Sequence, residues 1–92
     1  MYQALYDESA TFDQQVATYQ SLINSGTAWR LEGHVGRTAM MLIEDGLCAL
    51  GPKATTDYYG NVIPGRDDVQ PGTKGSVQFV EDHGNVVLDG ES

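Results

Sequence analysis

Apolar residues recur at helical spacing in two stretches. In the first, Phe12, Val16, Tyr19 and Ile23 fall at i, i+4, i+7 and i+11, and Leu22 widens the stripe. Thr11 stands before it as an N-cap, and Gln14 three residues on completes a capping box. Asp13 lies in the first turn, where the helix dipole favours a negative charge. Asn24-Ser25-Gly26 ends the pattern, with Gly26 able to adopt the left-handed conformation just past a helix. The spacing predicts a helix over 12–24. In the second stretch Val35, Ala39, Leu42, Ile43, Gly46 or Leu47, and Leu50 share one face, opposite Arg37, Thr38, Glu44 and Asp45. A helix is expected over 34–45, with Gly46 as its left-handed stop. Trp29, in the short joint between them, is expected to bridge both helices in the core; a place in a ligand pocket is the alternative.

From Gly51 the pattern breaks. Residues 51–75 hold all three prolines and five glycines. Two short β segments, 55–59 and 61–63, flank Gly60-Asn61, and Gly65-Arg66-Asp67-Asp68 reads as a turn in which Arg66 can pair with either acid. The stretch is too long for a plain connector in a small domain. It either packs through Tyr58, Tyr59, Val62 and Ile63 or forms a mobile binding loop, and packing is the favoured reading. Ser76 caps a third short helix over 77–83, closed by Gly84, unless Val77 and Phe79 alternate as a strand. Gly84-Asn85-Val86-Val87-Leu88 reads as a strand that echoes Gly60–Ile63 and pairs with it. The expectation is an α+β fold: one small domain over 1–92, an N-terminal helical hairpin, then an irregular half with short strands. Residues 1–10 and 89–92 are expected to be loose, with Tyr2, Leu5 and Tyr6 as candidates for tying the first segment down.

Size and charge narrow the function classes. A domain of this size buries only about 60–65% of the surface its unfolded chain exposes, so self-association would help it. Thirteen acids against five bases give a net charge of −8. That field repels phosphate backbones, so nucleic acid is an unfavoured partner, while basic surfaces are attracted. A single cysteine, Cys48, allows no internal disulfide; beside Leu47 and Leu50 it reads as a small buried hydrophobe. There is no apolar run of membrane-spanning length, and the N-terminus carries neither the basic region nor the apolar run of a leader. A cytoplasmic location is expected.

Candidate chemistry is sparse. Gly33-His34-Val35-Gly36-Arg37 has the spacing of the glycine loop that KH domains lay on RNA backbones, which makes Gly33, His34, Gly36 and Arg37 a weak anion-binding candidate. The competing and favoured reading is a tight turn that needs special backbone angles. The two predicted helices also have a helix-turn-helix outline. Its reading face would carry Arg37, Thr38, Met41, Glu44 and Asp45, and two acids are wrong for a DNA groove. His34 and His83 lie far apart in sequence, and no spacing sets a nucleophile beside a base. No catalytic residue, metal ligand set or cofactor is expected, and the chain does not read as an enzyme. What remains is surplus apolar surface. Once the two helical stripes face each other, Met41, Tyr58, Tyr59, Val62 and Ile63 are left over, with Arg66 and Arg37 as a polar rim. This predicts a partner-binding surface, closed either by a second copy or by another protein.

The central stretch resembles a group of small uncharacterised proteins of tailed phages of actinobacteria. The shared pattern is met by Leu22, Ile23, Gly26, Ala28, Trp29, Leu31, Gly33, Gly36, Arg37, Ala39, Leu42, Ile43 and Gly46, with Tyr59-Gly60-Asn61 and Pro71-Gly72-Thr73-Lys74-Gly75-Ser76 downstream. The resemblance covers about residues 19–76 and carries no site assignment. It implies a phage accessory protein expressed in a bacterial host, of the kind that binds and modulates a host protein. A nucleic-acid-associated helix-turn-helix-like or glycine-loop module in phage regulation is the alternative.

Overall fold

The computed structural model describes residues 11–31 and 33–88, so the termini expected to be loose, 1–10 and 89–92, lie outside the described residues. Helix α1 spans Phe12–Ser25. Its start is the predicted capping box: the Thr11 hydroxyl accepts from the Gln14 amide at 3.1 Å, and the Thr11 amide donates to Gln14 Oε1 at 2.9 Å. Gly26 ends it at φ +83°. A side chain at Gly26 would also strike Thr55, whose Oγ1 lies 2.8 Å from the position a Cβ would take. A single 3₁₀ turn, Thr27–Trp29, follows.

Helix α2 spans Gly33–Glu44. The tight turn expected at Gly33–Gly36 is therefore corrected: both glycines are helical, and neither has a positive φ. Gly46, at φ +75°, stops the helix as predicted. The Gly46 amide donates to Ile43 O and the Leu47 amide to Leu42 O, the paired bonds of a Schellman ending.

The two helices and the 3₁₀ turn enclose one core of Val16, Leu22, Ile23, Ala28, Trp29, Val35, Ala39 and Ile43, joined by Cys48 and Leu50 from the segment after α2. Leu42 and Tyr19 are half-buried at its edge, and Phe12 is exposed. Gln20, on the buried face of α1, is sealed from solvent. Its Oε1 accepts from the Ala49 amide at 2.9 Å, and its Nε2 donates to Ala49 O at 3.0 Å and Asn24 Oδ1 at 2.9 Å. The Gly/Pro-rich half thus docks on α1. Gly51 lies so close that a Cβ would come within 2.9 Å of Ile23 O.

Strands β1 (Thr55–Thr56) and β2 (Val62–Ile63) pair antiparallel, Thr55 opposite Ile63 and Thr56 opposite Val62. Helix α3 spans Val77–Asp82, with the Ser76 hydroxyl accepting from the Phe79 amide at 3.1 Å, so the helical alternative for this segment holds. The strand expected over 84–88 does not form. Asn85 instead donates from Nδ2 to Gly46 O at 2.9 Å, closing the end of α2, and from its backbone amide to Val80 O. A residue spent on these two carbonyls is not extended along β2. Among the described residues no helix is long and apolar enough to cross a membrane.

Candidate partner-binding groove

Two turns of α2 make the first wall of a groove. Gly33, Gly36, Arg37 and Met40 stand at i, i+3, i+4 and i+7, on one side of the helix. The joint supplies Ala28, Trp29 and Leu31 as floor, and the β1–β2 turn supplies Asp57, Tyr58 and Tyr59 as the second wall. The groove is open to solvent and has a volume of about 350 Å³.

The turn is built around Asp57. Its Oδ1 accepts from the amides of Tyr59 and Asn61, each at 2.9 Å, and its Oδ2 accepts from Asn61 Nδ2 at 3.2 Å. Gly60 sits at φ +84°, which explains the order Gly-Asn rather than Asn-Gly. Bonding to the Asn61 backbone first, and then to its side chain and neighbouring amides, holds the Asp57 carboxyl below the usual carboxylate range. Two bonds moor the hairpin to the joint: the Tyr58 amide donates to Trp29 O at 3.2 Å, and Arg30 Nη2 donates to Thr56 Oγ1 at 3.0 Å. The Tyr58 and Tyr59 rings stand at 90° with centroids 5.3 Å apart. They are 75% and 84% exposed, so the packing favoured for this segment does not extend to them.

The residues predicted for a partner surface separate. Tyr58 and Tyr59 line the groove. Met41 is exposed but lies one position, about 100°, round the helix from the groove wall. Met40 lines the groove in its place, and its spacing from Gly33, Gly36 and Arg37 is the signal that could have found it. Val62 is exposed on β2 outside the groove lining, while Ile63 turns inward and packs against the core. Arg66 is elsewhere: its Nε donates to Leu50 O at 2.9 Å and its Nη2 to Asn24 Oδ1 at 3.0 Å, which makes it a staple between halves rather than a rim. Gly33, His34, Gly36 and Arg37 occupy the first turns of α2, so the loop that the glycine-loop reading requires is absent there. A Cβ at Gly36 would rest 3.5 Å from Ala28 O and 3.9 Å from Trp29 Cε3, ordinary contact distances.

The reactive side chains are committed to packing. Cys48 is fully buried with its Sγ 3.7 Å from Val16 O, and burial pushes its thiol up to about 12. The His83 Nδ1 lies 2.8 Å from Phe79 O, the distance of an N–H donating to that carbonyl, and the ring packs on Phe79 with centroids 4.3 Å apart. Among the described residues no three His, Cys, Asp or Glu side chains are grouped to hold a metal ion.

One family model matches the chain, the domain of unknown function DUF7417, over residues 6–62. That span contains the capped α1, the joint, α2 and the whole groove, and ends at the first residue of β2. No curated protein and no solved structure matches.

Proposed function

The chain belongs to that family; from the resemblance of its central stretch and from its groove, we propose that it is a non-catalytic accessory protein of an actinobacterial tailed phage, acting in the host cytoplasm by binding and modulating a host protein. One observation carries the reading. Of the eight large hydrophobic side chains exposed among the described residues, four (Leu31, Met40, Tyr58 and Tyr59) line a single groove. Such clustering of exposed apolar side chains is the mark of an interface. Tyrosine and methionine are also the side chains that supply adaptable contact area to partners. The partner specificity sits in the hairpin turn and the first half of α2.

A two-fold homodimer through the same groove is the second reading. Arg37 on one wall and Asp57 on the other make the groove self-complementary in charge. Affinity capture from host lysate decides, run with the native chain and with Met40→Glu and Tyr59→Glu. A host protein held by the native chain and lost with both variants supports the proposal. Capture that is identical for all three places binding elsewhere and refutes it.

A further inference from the structure

We infer that the groove seats a lysine or arginine side chain of the partner, over the ring faces of Tyr58 and Tyr59 and beside the Asp57 carboxylate; this rests on the partner-binding reading above. The first ground is charge. A chain of net charge −8 draws basic segments and repels acidic ones. The second is the shape of the wall. Two rings at 90°, both largely open to solvent, present π faces in two directions, and a cation is attracted to either face. The third is the acid between strand and rings. Hydrogen bonds from its own turn keep the Asp57 carboxyl ionised, so a full negative charge stands next to the rings. The fourth is the floor. Trp29, Leu31 and Met40 offer an apolar bed for the methylene stem that a long basic side chain lays down while its head stays polar. The wall is also preorganised, because the Tyr58 amide is already bonded to Trp29 O and Arg30 to Thr56.

Arg37 stands on the opposite wall. Its Nη1 lies 3.1 Å from where a Gly33 Cβ would be, folded back along the start of α2. Its like charge opposes any cation in the groove, so its removal is a diagnostic.

Trp29 is the only tryptophan and lines the groove, so its fluorescence reports occupancy directly. The full chain is titrated with a lysine-rich nonapeptide, its arginine and glutamate counterparts, and a neutral serine-glycine peptide. The expected result is a saturable change in Trp29 emission with the lysine and arginine peptides alone, weakening as salt rises. Tyr58→Leu and Tyr59→Leu keep apolar area but remove the π face, and each weakens binding about three-fold. Asp57→Asn keeps an acceptor for the turn and weakens it further, while Arg37→Ala strengthens it. Binding of the glutamate peptide that is lost in Arg37→Ala overturns the inference in favour of an anionic occupant. Basic-peptide binding that is indifferent to both leucine variants also overturns it, as attraction to the acidic surface at large. So does a dimeric mass by light scattering that Tyr59→Glu reduces to a monomer, which makes a second copy the occupant. Host-protein capture that depends on the groove while no basic peptide binds would remove the cation seat and leave the binding reading standing.

Discussion

Gln20 shows how a single polar residue joins the two halves. It occupies a core-facing position of α1 and pairs both backbone groups of Ala49, as a neighbouring strand would. Gln20→Leu leaves that amide and carbonyl unpaired inside the protein and should cost about 2–4 kcal/mol, read from the urea midpoint. An unchanged midpoint would mean the docking contributes nothing. Gly36 makes the opposite case. It is helical, and a methyl there meets only ordinary contacts. Gly36→Ala should raise stability by about 0.5–1 kcal/mol, seen as a higher melting temperature. Cys48 sets a pH dependence. Burial raises its thiol from the ordinary 9.0 to about 12, so the folded state keeps the proton that the unfolded chain releases. The contribution is therefore complete below pH 9 and is lost as pH rises through the interval from 9.0 to about 12. The slope is about 1.4 kcal/mol per pH unit. Unfolding free energies of the native chain and Cys48→Ala, compared from pH 8 to 10.5, should converge; parallel curves would contradict the sealed thiol.

At the scale of elements, α1 and the stop of α2 were legible because their determinants are local. Thr11, Gln14, Gly26 and Gly46 act within four residues of themselves in sequence. The hairpin was legible as two short segments about Gly60-Asn61, but its purpose was not. Asp57 organises the turn through three hydrogen bonds, and the mooring to Trp29 and Arg30 crosses more than twenty-five residues. Asp57→Ala should loosen the turn alone. Amide exchange at Tyr59 and Asn61 is expected to quicken about ten-fold, while Ala49 stays protected. Equal acceleration at all three would make the hairpin part of the global fold. The groove was half legible for a related reason. The tyrosines stood out as surplus apolar surface, but choosing Met40 over Met41 required knowing which side of α2 faces the hairpin. Arg66 and Ile63, assigned to the partner surface from the sequence, are taken up by Asn24, Leu50 and the core.

At the scale of the molecule, the net charge of −8 governs encounters. Titration of labelled duplex DNA or single-stranded RNA at physiological salt should show no sub-micromolar binding by anisotropy, because too few cations face the phosphates to release counterions. Tight binding abolished by Arg37→Ala would instead place an anion contact at the start of α2. The sequence by itself determined the α+β class, both long helices, the caps of α1, the stop of α2 and most of the core, since periodicity and capping are read over one or two turns. Tertiary structure alone decided that Gly33 and Gly36 are helical, that Asn85 closes α2 instead of extending a sheet, and which residues share the groove. Those outcomes depend on contacts between segments distant in the chain. Sequence spacing carries no phase information across the loops that bring such segments together.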